Sequence, residues 1–109
     1  LVVATSDALI EQDPELVRSF VQGLVKGHED VLANPQAALD VLLRANPDLE
    51  KELVKRALDL TVPTFRHDAP RIGWHDPKEW RVYKDWMHEQ GLLTKDIEVE
   101  QTFTNEFLP

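Results

Sequence analysis

The chain has 109 residues, the length of one domain. Its 20 acidic and 12 basic side chains leave a formal charge of −8, which argues against the clustered Lys and Arg that grip nucleic-acid phosphates or anionic lipid. It has no cysteine, so disulfides, zinc–thiolate centres and thiol catalysis are excluded, and it has no run of about 18 apolar residues to cross a membrane. The opening, Leu1-Val2-Val3-Ala4-Thr5, is apolar and β-branched and predicts a short buried strand. Such a strand needs partners for its N–H and C=O groups. No second strand is expected before residue 97, so those partners are expected outside this sequence and the chain is expected to be one segment of a larger protein. An unpaired edge also invites a second copy, which predicts strand-mediated dimerisation of the isolated segment through Leu1 to Thr5.

Four Asx-Pro pairs punctuate the chain after this opening: Asp13-Pro14, Asn34-Pro35, Asn46-Pro47 and Asp76-Pro77. Each reads as an N-cap whose side-chain oxygen accepts a first-turn N–H, with a proline at N1 whose φ is already helical. Glu15, Asp48 and Glu79 then suit the positive end of each helix. The spacing predicts helices over about Pro14 to Ala33, Pro35 to Ala45, Pro47 to Thr61 and Pro77 to Gln90. The first carries an apolar stripe through Leu16, Val17, Phe20, Val21, Leu24, Val25, Val31 and Leu32, with His28 on it. Pro63 limits the third helix, and Pro63, Pro70 and Gly73 mark residues 62 to 76 as a loop. Gly91, next to Leu92-Leu93, predicts a left-handed helix ending of the Schellman kind. Ile97 to Pro109 is expected to be extended, with a weak strand-like alternation of Ile97, Val99, Gln101 and Phe103. The fold class is therefore mainly α: four helices behind a short strand, with a tail laid on another surface.

Little of this carries chemistry. His67-Asp68 and His75-Asp76 are two metal-capable pairs in one loop, but their spacing matches no ligand pattern and Asp76 is expected to cap a helix. No metal and no cofactor is expected. His28 is expected to be a core-edge histidine bonded to a carbonyl rather than a base. Gly23-x-x-x-Gly27 would let another helix approach closely, and is read as plain packing. Trp80 and Trp86 lie six residues apart on one helix and do not share a face. One is expected in the core. Trp74 precedes that helix in the loop. It can stack on a flat ligand, although packing back on the helix is the commoner role. No Ser/His/Asp set, P-loop or dinucleotide fingerprint appears.

Several stretches carry a resemblance when taken together: LVVATSDALI over residues 1–10, DPELVRSF over 13–20, LVKGH over 24–28, NPQAA over 34–38, Trp80, Gly91-Leu92-Leu93 and TNEFLP over 104–109. In this order they resemble the C-terminal portion of the periplasmic substrate-binding proteins of ABC importers. The group is the one that binds thiamine pyrimidine precursors, with relatives for riboflavin, taurine, alkanesulfonates and nitrate, and it shares its fold with the yeast pyrimidine-precursor synthases.

The resemblance implies a parent two-lobed α/β fold of the type II periplasmic-binding-protein class. Residues 1–5 would be the hinge-like returning strand, 14–93 the helical part of the first lobe, and 94–109 the tail. It implies a small heteroaromatic or anionic ligand, a permease as partner, and a periplasmic or lipid-anchored extracellular location. It implies no enzyme activity, and the cysteine-rich stretch of the yeast synthases is missing here. By position, Thr5, Ser6 and Trp74 would face the ligand cleft. The alternatives are a pyrimidine-precursor synthase on the same fold and a free-standing helical interaction module.

Overall fold

The computed structural model describes residues 2–66 and 69–109. In chain order it places α1 (Asp7–Gln12), α2 (Pro14–Ala33), α3 (Pro35–Ala45), α4 (Lys51–Thr61), a 3-10 turn (Val62–Thr64), α5 (Pro77–Glu89) and a second 3-10 turn (Val99–Gln101). There is no strand among the described residues.

One Asx residue turns each of the first two corners. Asp13 ends α1 by donating its N–H to the Leu9 carbonyl at 3.0 Å. Its Oδ1 accepts the Leu16 N–H at 3.0 Å and so opens α2. Asn34 does the same between α2 and α3, with its N–H on the Asp30 carbonyl at 3.0 Å and its Oδ1 on the Ala37 N–H at 3.0 Å. Each satisfies an orphan group of both helices at once, so no loop residues intervene.

Asn46 departs from this pattern and corrects the expected start of the next helix. Its Nδ2 donates back to the Leu42 carbonyl at 3.1 Å. The Leu49 N–H, which the cap would have taken, goes instead to the Asn46 main-chain oxygen at 3.2 Å. A turn therefore covers Pro47 to Leu49, and α4 begins at Lys51 behind Glu50, which makes no side-chain cap bond.

At the far end, Asp76 Oδ1 accepts the Lys78 N–H at 2.8 Å and Pro77 stands at the first position of α5. The helix closes as a full Schellman motif. The Leu92 N–H reaches the Met87 carbonyl at 2.9 Å and the Gly91 N–H the His88 carbonyl at 3.0 Å, with Gly91 at φ +69°.

Two further expectations need correction. Residues 2–5 are irregular, with Val2 and Val3 more than half exposed. No strand lies beside them among the described residues to take their N–H and C=O groups, and Ser6 turns the chain into α1 by accepting the Leu9 N–H. The tail is not a strand either. Val99 is buried at the start of a 3-10 turn, and Phe107 is buried further on.

Packing runs in chain order: α1 against α2, α2 against α3, α3 against α4, and α5 against the second 3-10 turn. The buried side chains among the described residues are Val17, Val25, Leu39, Val99 and Phe107. The radius of gyration is 17.0 Å, against about 13 Å for a compact domain of this length. Much apolar surface stays open. On α2, Leu16, Phe20 and Leu24 stand at i, i+4 and i+8 and are 53%, 59% and 38% exposed. Among the described residues a Cβ added at Gly23 or Gly27 would meet nothing within 4 Å, so no helix among them packs closely against either glycine.

Candidate functional site

Of the three residues expected at a ligand cleft, Thr5 is exposed in the irregular lead-in. Ser6 is the N-cap of α1, its Oγ accepting the Leu9 N–H at 3.2 Å. Trp74 is half-buried in the loop before α5, directly after Gly73 at φ +80°. One face of its indole carries the Arg71 guanidinium, 5.4 Å from the ring centroid. Arg71 in turn donates to the Pro109 main-chain oxygen at 2.7 Å. No hydrogen bond or ring contact joins Trp74 to Thr5 or Ser6 among the described residues. An open hollow of about 420 Å³ runs along α4, lined by Glu50, Glu52, Leu53, Lys55, Arg56 and Asp59, and none of the three expected residues reaches it.

Among the described residues, one side-chain constellation is assembled that sequence spacing does not predict. It joins the loop, α5 and the C-terminal strap, residues 102–109. Asn105 accepts the His75 N–H through Oδ1 and donates through Nδ2 to the His75 carbonyl, both at 2.9 Å. Trp80 donates its indole N–H to His75 Nδ1 at 3.1 Å. Phe103 lies parallel to Trp80 within 18°, centroids 5.5 Å apart, and 5.5 Å from the His75 ring. Burial holds the His75 imidazole below its ordinary value of 6.5. The separate signals are visible in the sequence, as the His75-Asp76 pair, Trp80 and the TNEFLP ending. What joins them is a contact across 30 residues, which no local spacing encodes.

Two further links tie the strap to α2. Arg18 on α2 donates to the Glu106 carbonyl at 3.0 Å and covers the Phe107 ring at 5.3 Å. Ahead of the strap, Lys84 pairs with Asp96 at 2.9 Å and Arg81 with Glu100. The hydrogen bond with Lys84 lowers the Asp96 pKa, and the same bond raises that of Lys84. His28 donates to or accepts from nothing catalytic: its Nδ1 lies 2.8 Å from the Leu24 carbonyl and its ring meets Phe65 edge-on at 4.6 Å. It is the carbonyl-bonded core-edge histidine that its stripe position predicts. Of the metal-capable pairs, His67-Asp68 lies outside the described residues. In the other, Nδ1 of His75 is taken by Trp80 and Asp76 caps α5. Among the described residues no three His, Asp or Glu side chains gather as a metal set.

Residues 1–38 match the family model described as "NMT1/THI5 like". The chain is 36% identical to the riboflavin-binding protein RibY of Chloroflexus aurantiacus, over 98% of this chain and 32% of that protein. It is 26% identical to a formylaminopyrimidine-binding protein of Halalkalibacterium halodurans, over 96% of this chain and 33% of that one. A 4-amino-5-hydroxymethyl-2-methylpyrimidine phosphate synthase of Legionella pneumophila is 24% identical, over 90% of this chain and 30% of the enzyme. The chain thus spans about a third of the length of the curated relatives it matches.

Proposed function

Because the chain is related to the NMT1/THI5-like proteins and, along nearly its whole length, to two small-molecule binding proteins, we propose that it is the C-terminal segment of a solute-binding component of an ABC importer. The observation that carries this reading is the 36% identity, across 98% of the chain, to a riboflavin-binding protein. Riboflavin and formylaminopyrimidine are both flat, nitrogen-rich rings, so the cargo is a heteroaromatic nutrient in preference to taurine, an alkanesulfonate or nitrate. Binding is reversible, breaks no bond, and delivers the cargo to a permease from the periplasm or from the outer face of the membrane. In this reading residues 14–93 form the helical part of one lobe, and the open stripe of Leu16, Phe20 and Leu24 is covered by the remainder of that lobe. Thr5, Ser6 and Trp74 are its cleft-side residues, with the Trp74 indole as the group that stacks on a ring.

The test is thermal shift and calorimetry on the full-length gene product with riboflavin, formylaminopyrimidine, other thiamine pyrimidine precursors, taurine, an alkanesulfonate and nitrate. A shift with one heteroaromatic compound is expected. Silence towards all of them, or a response to taurine, the alkanesulfonate or nitrate alone, would sink the assignment of cargo. A second reading rests on the lower-identity matches to two pyrimidine phosphate synthases, 24% and 20% identical. It would replace the first if the full-length protein formed a pyrimidine phosphate in place of binding one of these compounds unchanged.

A further inference from the structure

We propose that the C-terminal strap is held on α5 by an acid-sensitive knot centred on His75, which lets the strap go when the imidazole takes a second proton. This goes beyond solute binding and does not depend on it. An indole N–H can only donate. Trp80 Nε1 lies 3.1 Å from His75 Nδ1, so Nδ1 must present a lone pair and the ring proton sits on Nε2. An imidazolium has N–H donors at both positions, so no ring flip restores an acceptor. The ring is bordered by Trp80 and by Phe103, each with its centroid 5.5 Å away, and Asn105 holds the main chain that carries it.

The knot matters to the strap because the same groups seat it. Phe103 rests on both the Trp80 and the His75 rings, and Asn105 is two residues further on. A second proton on His75 sets two donors against each other at the centre of that stack. The charged ring would gain some attraction to the faces of Trp80 and Phe103. Burial opposes that charge and holds the His75 pKa below its ordinary value.

No charged side chain among the described residues bonds to the imidazole. On α5, Asp76 is engaged at the Lys78 N–H and Arg81 with Glu100, while Glu79 is exposed in the first turn. In the loop, Arg71 is engaged with Trp74 and Pro109. In the strap, Glu106 offers its carbonyl to Arg18 and its N–H to Thr104 Oγ1. His88, at the other end of α5, faces Asp96 at 3.9 Å.

The experiment is hydrogen exchange on the full-length protein at about pH 7.5 and about pH 5.5, either side of the ordinary imidazole range, expressed as protection factors. Protection over residues 103–108 should fall several-fold at the lower pH while that of α2 holds. In His75→Asn, which keeps an acceptor at the Nδ1 position that does not titrate, the fall should vanish. Equal protection at the two pH values, or an undiminished fall in H75N, would overturn the proposal. Should H75N not fold, the Trp80 indole N–H resonance of the native protein decides the matter. It should move upfield with the His75 titration, and a resonance indifferent to that titration would overturn the proposal.

Discussion

Asn105 commits both ends of its amide to one residue, accepting from the His75 N–H and donating to the His75 carbonyl. The pairing requires a donor and an acceptor on one short planar group. Aspartate would keep the acceptor but turn a carboxylate towards the carbonyl. Alanine would leave two part-buried main-chain groups without partners. Asn105→Ala in the full-length protein should therefore cost about 1–3 kcal/mol, read as a lower denaturant midpoint at unchanged slope. A midpoint equal to that of the wild type would mean that water replaces the amide at no cost. The neighbouring titrations fall in separate windows. His75 has a lowered pKa in the folded chain, so its contribution is complete above its ordinary value of 6.5 and erodes as pH falls from there towards the folded value. Asp96 is also lowered, from 3.8, so what its exposed pair with Lys84 adds is lost only in stronger acid.

At the scale of elements, the Asx corners separate what the sequence could disclose from what it could not. Asp13, Asn34 and Asp76 cap as their Asx-Pro spelling predicts, because a cap and its N–H lie within three residues. Asn46-Pro47 has the same spelling and does not cap, because the main-chain oxygen of Asn46 wins the Leu49 N–H. Stability measurements should tell the two corners apart. Asn34→Ala should lose about 1 kcal/mol with its cap. Asn46→Ala removes an exposed bond to Leu42 and should lose well under about 1 kcal/mol. Equal losses would contradict the two geometries. The short α1 is not legible in the sequence, because six residues with Leu9 and Ile10 as their apolar pair display no full helical period. The strand expected at residues 1–5 fails for the complementary reason: β-branched composition describes a preference, whereas a ladder needs a neighbour.

Across the whole molecule, the open radius and the exposed stripe on α2 are the features least legible in the sequence. The stripe is visible as apolar periodicity, but periodicity cannot say which part of a wide apolar arc is covered. Val17 and Val25 are buried, whereas Leu16, Phe20 and Leu24, offset by about one residue around the helix, are not. If the remainder of a lobe covers this face, as proposed, Phe20→Asp should destabilise the full-length protein by more than about 2 kcal/mol. A Tm within experimental error of the wild type would show that the face stays in water in the longer protein too. Thr5, Ser6 and Trp74 are legible as residue types, and among the described residues no hydrogen bond or ring contact joins Trp74 to the other two.

The contact of Arg18 with the Glu106 carbonyl has a consequence for the order of folding. It joins residues 88 apart in sequence, whereas the corners that build α1 to α4 each close within a few residues. Closing so long a loop costs on the order of 4 kcal/mol in chain entropy, more than the Arg18 hydrogen bond alone returns, so the burial of Phe107 under Arg18 has to contribute as well. The helical corners can therefore form early and independently. The strap first has to assemble with α5 through His75 and Asn105, and only as that larger unit can it engage α2. Loop-closure entropy therefore predicts that the Arg18 contact forms late, and hydrogen exchange that protects α2 and α3 before residues 103–108 during refolding would bear this out.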